Sequence, residues 1–310
     1  MSKQLNKADR TNKYVLGIDA GGTYFKSVLV DSNNEVLISS QRKQKIKDDK
    51  DSILECYTSL IDEGKIMAKK VGGTLVGIGV SSPGPFDYHN TISFMKHKLK
   101  SIYGLNLEKT LRSNGVLEDM SFCCMHDGLS FLYGEYIVGS AKGFSNVAAL
   151  TLGTGTGFSI IKNGELCETS QGSTAFSIYQ NPLEGKKVED YLSSRGIVQM
   201  YNTFSKNTLD YTAYVIEKKA IQNDDKAAQK TFNEAGRLIA EATRDILKDN
   251  KIECFVLGGQ ISRAFPLMES SIREGLKSVS SLQKICMGES IDFSAQIGVA
   301  HKAFSLIKGD

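Results

Sequence analysis

The chain has 310 residues, 41% of them hydrophobic and 24% charged, with 38 basic side chains against 35 acidic ones and a formal charge of +3. This length exceeds a typical single core and points to two domains. So even a charge balance argues against nucleic acid or a membrane surface as the main partner, and the local basic runs 41–50 and 96–98 read as solvated surface.

Residues 1–13 are polar and lack the apolar stretch of a signal peptide, and no apolar run approaches the ~20 residues of a membrane helix. They read as a disordered lead-in, too short for a helix-turn-helix DNA-binding domain. Residues 14–18 and 25–30 read as two strands of a hairpin around Asp19-Ala20-Gly21-Gly22-Thr23. A third strand follows over 35–40. Residues 51–70 carry Ile53, Tyr57, Leu60, Ile61 and Met67 at helical spacing, with Asp51 placed to cap. A buried strand over 75–80, a helix over 106–112, a strand over 120–125 and a helix over 129–138 come next.

The pattern then restarts. Strands over 147–152 and 158–161 frame a second glycine turn, Gly153-Thr154-Gly155-Thr156-Gly157, and a weak third strand covers 166–169. The clearest later helix, 226–248, carries Phe232, Ala235, Ile239, Ala242 and Ile246 on one face. A strand over 253–257 runs into Gly258-Gly259, Pro266 stands where a helix would begin, and a last helix covers 295–307. The order β-β-β-α-β thus occurs twice with a glycine turn in the same place. It predicts an α/β protein of two lobes facing each other across a cleft, where ligands of such folds bind.

Glycine turns expose successive backbone N–H groups that cradle an anion, and two such turns can hold one phosphate chain from two sides. The plainer alternative for each alone is a tight hairpin turn. Asp19 suits a Mg²⁺ ion that neutralises nucleotide charge, or else it hydrogen-bonds its own turn. Asp127 follows the apolar run Phe122-Cys123-Cys124-Met125 and precedes a helix; it can take a proton from an attacking hydroxyl or serve as a helix N-cap. Gly258-Gly259 either lets adenine or ribose lie on bare backbone or answers the sterics of a βα turn. Lys26 either reaches a phosphate or is a solvated strand lysine. There is no P-loop frame before Lys26-Ser27, no G-x-G-x-x-G after a strand, no H-E-x-x-H and no G-x-S-x-G elbow. The six cysteines form no C-x-x-C pair, and Cys123, Cys124 and Cys254 read as buried hydrophobes of a protein from a reducing cytoplasm.

These motifs resemble the ROK family of sugar kinases and regulators over residues 15–304. Leu16 to Thr23 is similar to the family's first phosphate motif, Thr151 to Gly157 to the second, and Val256-Leu257-Gly258-Gly259 to its adenosine motif. Residues 77–87, with Ser82, Pro83 and Gly84, resemble the segment that reaches toward the sugar. His126-Asp127, followed by Gly134-Glu135, stands where the family has Asn-Asp and Gly-Glu, so the resemblance assigns the catalytic base to Asp127.

The resemblance implies the actin-like, ribonuclease H-like ATPase fold, with duplicated βββαβα units around a central cleft. The smaller lobe is expected over 13–136 with 296–310 and the larger over 137–295. It implies ATP and Mg²⁺ as cofactors, with Asp19 at the metal directly or through water; Gly21, Gly22, Thr23, Lys26, Gly153, Thr154, Gly155, Gly258 and Gly259 at the nucleotide; and a sugar as acceptor. A homodimer is the family-level expectation.

The chain also departs from the family pattern. Ser177-Ile178-Tyr179-Gln180 replaces the sugar-contacting E-x-G-H, leaving Gln180 in the place of the histidine, and residues 181–187 replace the zinc cysteines, so no zinc site is expected. Glu189 resembles the glutamate that follows the last of those cysteines and is expected at the sugar. An ATP-dependent kinase for a hexose or hexose derivative is therefore the leading expectation. The alternative is a catalytically weak sugar-sensing protein of the same family without a DNA-binding domain.

Overall fold

The computed structural model describes residues 12–222 and 225–307. The lead-in expected over 1–13 falls largely outside these residues, while Asn12 and Lys13 already belong to the first strand. Among the described residues the chain divides into two compact units, 12–130 with 171–173 and 295–307, and 131–170 with 174–294.

The first unit opens with β1 (Asn12–Ala20), β2 (Tyr24–Asp31), β3 (Val36–Lys45), α1 (Lys50–Lys70) and β4 (Gly73–Ser82). A short pair, β5 (Phe86–Asp87) and β6 (Ile92–Ser93), then precedes α2 (Leu107–Ser113), β7 (Ser121–His126) and the start of α3 (Asp127–Ile137). The strands lie in the order β3-β2-β1-β4-β7. The two hairpin pairings are antiparallel and the β1–β4 and β4–β7 pairings parallel, as crossover helices require. Alternation sends Leu16, Ile18 and Ala20 of β1 into a core with Ile53, Tyr57, Leu60 and Ile61 of α1. That helix is capped by Asp49, whose side chain accepts from Ser52 N at 2.9 Å, and not by Asp51, which already lies inside the first turn.

The second unit repeats the plan. It contains β8 (Val147–Leu152), β9 (Thr156–Lys162), β10 (Glu165–Leu166), β11 (Pro182–Leu183), β12 (Lys186–Lys187), α4 (Val188–Tyr191), α5 (Ser194–Ser205), α6 (Ala213–Gln222), α7 (Lys226–Asp249), β13 (Cys254–Gly258), α8 (Phe265–Leu276) and β14 (Lys284–Met287). Its main sheet runs β10-β9-β8-β13-β14, the same order and the same sense of pairing as the first. The expected duplication is therefore present strand for strand. The segment that replaces the zinc cysteines is the small hairpin β11–β12.

Two features tie the later chain down. In the second unit, Glu135 of α3 is fully buried and its carboxylate accepts from Ser140 N at 2.8 Å, Glu289 N at 3.0 Å, Ser290 N at 3.2 Å and Ser294 Oγ at 2.5 Å. Glu135→Ala orphans four donors at once, so unfolding in urea should show a loss of about 4 kcal/mol, while Glu135→Gln retains part of it. In the first unit the last helix, α9 (Ser294–Ser305), lies flat on the sheet. The carbonyls of Gln296 and Val299 occupy the space that side chains at Gly17 and Gly79 would need, and Ser121 Oγ donates to Ala303 O at 3.0 Å.

Candidate active site

In the first unit the candidate residues gather at the carboxyl ends of β1, β4 and β7. Pairing sets Asp19 opposite Ser81 and Ser81 opposite Met125, with Ser82 opposite His126 one step further out and Asp127 following at the head of α3. This is the end of a parallel sheet at which ligands of open α/β folds bind. Asp127 stays about half exposed, and its Oδ1 accepts from Gly128 N at 2.8 Å, 3.3 Å from His126 Nδ1. Gly128 N also lies 3.2 Å from His126 Nδ1, so one backbone N–H is shared between the carboxylate and the ring. Tyr88 stands edge-on to His126 with ring centroids 5.8 Å apart and donates its hydroxyl to Ser82 O at 2.9 Å. A side chain at Gly84 would meet that hydroxyl at 3.5 Å and His126 Cδ2 at 4.0 Å. Ser82, Pro83, Gly84, His126 and Asp127 thus form one cluster.

Asp19 pairs across the β1–β2 hairpin with Lys26 on the same sheet face. Burial is the main influence on its carboxyl and pushes its pKa up to about 6; the Lys26 charge pulls it down and that of Asp127 pushes it further up. Ser81, opposite in register, is fully buried and its hydroxyl has no hydrogen-bond partner among the described residues. A largely desolvated carboxylate beside an orphaned hydroxyl suits a hydrated Mg²⁺, which takes one or two carboxylates and otherwise phosphate and water. Among the described residues no three His, Cys, Asp or Glu side chains gather as a metal-ligand set.

In the second unit, Gly153 N donates to Gly155 O at 3.0 Å within the β8–β9 turn, and Gly153 O accepts from Ser194 N and Oγ at 2.8 and 2.9 Å. Thr156 Oγ1 donates to Leu192 O at 2.7 Å, so α4 and α5 buttress the turn. Glu189 places Oε2 3.1 Å from Thr156 N, on the turn itself, and its own N–H donates to Tyr179 O at 3.1 Å. The backbone thereby joins Glu189 to the segment containing Gln180, which is exposed. Thr154 at the tip is exposed as well.

Gly258 and Gly259 have steric reasons of their own. The Phe131 ring fills the space of a Gly258 side chain, the Leu152 carbonyl fills that of Gly259, and Gly259 has φ 78°. Immediately after them lies a cavity of about 910 Å³, lined among others by Arg195, Tyr211, Tyr214, Gln260, Ile261 and Arg263. Sequence reasoning missed this cavity, because its walls come from α5, α6 and the turn after β13, which share no motif. It also missed Lys98, which lies against Gly22.

The two sheets of identical order, each with a glycine turn in its first hairpin, define a duplicated actin-like ATPase fold. The ROK family profile matches residues 15–300, and the chain belongs to that family. Over 158 residues, 51% of this chain and 47% of the other, it is 25% identical to a glucokinase of Thermotoga maritima. It is 21% identical to the xylose repressor of Bacillus subtilis over 277 residues, 86% of this chain and 69% of the repressor. A ROK family glucokinase from Streptomyces griseus, solved with glucose and AMPPNP, superposes with a TM-score of 0.78 at 18% identity, covering 94% of this chain and 99% of that one. Among the described residues no helix is long and apolar enough to cross a membrane.

Proposed function

We propose that this protein is an ATP-dependent sugar kinase. The observation that carries the reading is Asp127, a half-exposed carboxylate at the end of a parallel strand, grouped with Ser82, Gly84 and His126 and near the charge of Asp19. The acceptor hydroxyl gives its proton to Asp127 while its oxygen attacks the γ-phosphorus in line, and the bond to the ADP oxygen breaks. His126 and the residue 82–84 segment orient the sugar. In the first unit Gly22 and Thr23 donate backbone N–H groups to phosphate and Lys26 supplies charge beside Asp19; in the second unit Thr154 and Gly155 offer backbone N–H groups to nucleotide phosphate. The cavity after Gly259 takes the base and ribose, with Tyr211 and Tyr214 as aromatic walls. Bound Mg²⁺ neutralises phosphate charge near Asp19.

Turnover of Mg²⁺ and ATP over a panel of hexoses, amino sugars, N-acetylated sugars and glucosides, with products identified by mass, tests the reading. A phosphorylated product from one class is the expected result; none from any class refutes it.

A second reading, a sugar-binding protein of low catalytic power, is favoured by one observation: residues 177–180 carry neither the glutamate nor the histidine of the family motif. Sugar-induced thermal stabilisation without nucleotide and without turnover would select it.

A further inference from the structure

A side chain at Gly22, the tip of the first glycine turn, would meet Lys98 Cδ at 3.1 Å, Cγ at 3.2 Å and Cβ at 3.4 Å. The lysine stem is therefore laid across the turn, over the residue whose missing side chain makes room for it. The placement is built into the backbone. Leu99, the next residue, adopts the left-handed conformation at φ 49° and is only 1% exposed, anchored in the first unit's core. A bulky residue holds that conformation only where its surroundings enforce it. On the far side, Asp48 accepts from Lys100 N at 3.2 Å and from Ser101 N and Oγ at 3.1 and 2.9 Å, clasping the loop to the segment before α1.

The charges nearby make the position consequential. Asp19 and Asp127 bring two carboxylates to this end of the sheet, and Lys26 answers one of them. A polyphosphate arriving there needs further positive charge. Lys98 Nζ has no hydrogen-bond or ion-pair partner among the described residues, whereas nearby Lys96 lies over the Tyr103 ring at 5.8 Å. On the kinase reading, the phosphoryl group held by the turn that shares a unit with Asp127 is the terminal one, which the attacking hydroxyl meets.

We propose that Lys98 is a phosphate-binding residue of the reaction: its stem rests on Gly22 and its ammonium pairs with the γ-phosphate of the nucleotide. The inference rests on the kinase reading and adds a contact to it. An ammonium at the γ-phosphate discriminates triphosphate from diphosphate and holds the group as its charge redistributes during transfer.

The test is calorimetric titration of the whole protein, its Lys98→Met variant and its Lys98→Arg variant with Mg²⁺-AMPPNP, Mg²⁺-ADP and adenosine. Methionine keeps the apolar stem on Gly22 and removes the charge. Expected is a loss of about tenfold or more in AMPPNP affinity for Lys98→Met, with ADP within about twofold, adenosine unchanged and most of the affinity restored in Lys98→Arg. Equal losses for AMPPNP and ADP, or no loss for either, overturn the assignment. So does a fall in the variant's melting midpoint that accounts for the lost binding. If the unaltered protein binds none of the three, the kinase reading itself fails and the assignment with it.

Discussion

Asp127→Asn should slow phosphoryl transfer to the accepted sugar by about 10³-fold while leaving nucleotide and sugar binding within a few-fold. The scale follows from general-base catalysis, whose loss typically costs 10²–10⁴ in rate. The asparagine oxygen can still accept the hydrogen bond that Gly128 N now gives to Oδ1, so the head of α3 keeps its geometry. Only the capacity to take a proton goes. Product formation under saturating ATP and sugar, measured beside binding by calorimetry, separates this from a folding defect. A variant that retains more than a tenth of the original rate removes Asp127 from the role of base.

Asp19→Asn should stabilise the folded protein at pH 7 and cripple its use of Mg²⁺ and nucleotide. Burial lifts the Asp19 carboxyl from its ordinary value near 3.8 to about 6, so the folded state binds the proton more tightly than the unfolded chain does. The stability tied to this proton is complete below pH 4 and is lost as pH rises through 6, amounting to about 3 kcal/mol. Asparagine carries no charge to desolvate. Urea midpoints of the two proteins should therefore coincide near pH 4 and diverge in the variant's favour by pH 7. Parallel curves across that range would contradict the assigned shift. A buried carboxylate kept at such a cost is what a functional site displays, and the expected failure in nucleotide binding tests why it is kept.

Much of this architecture was legible in the residues, because apolar periodicity and glycine turns recur in the same order twice. The places where reading and structure part company have physical causes. The third strand was expected to stop at residue 40, yet β3 runs on to Lys45. Ser40 Oγ accepts from Leu29 N at 2.7 Å, carrying the pairing past an irregular register, and residues 41–45 beyond it, rich in Lys and Arg, alternate between exposed and half-buried along an edge strand. The strand expected over 166–169 shrinks to Glu165–Leu166: Cys167 N still donates to Ile160 O of β9 at 3.0 Å, but Glu168 then bridges to Thr174 and leaves that strand. Asp49 displaced Asp51 as the cap because two acidic residues flank Lys50 and composition alone does not choose between them.

The site divides in the same way. Asp19 and Asp127 were readable as candidates because strand ends and turn chemistry mark them locally, and His126 only through the family resemblance. Lys98 was not: in sequence it is one lysine of Lys96-His97-Lys98, a run that reads as solvated surface. What singles it out is contact with a glycine 76 positions earlier, and no local pattern encodes that contact. Glu189 shows the converse limit. Its motif suggests the sugar, whereas its carboxylate lies on the N–H of Thr156.

The return of α9 to the first unit bears on how the protein is made. Nearly all of the second unit is one continuous stretch, so its strands and helices can pack without waiting for a distant part of the chain. The first unit, although its strands emerge earliest, waits with the glycine face of β1 and β4 uncovered until the helix that seals it has been synthesised. The first unit therefore closes long after its strands are made, and during that interval a bare sheet surface is open to chaperones or to neighbouring nascent chains.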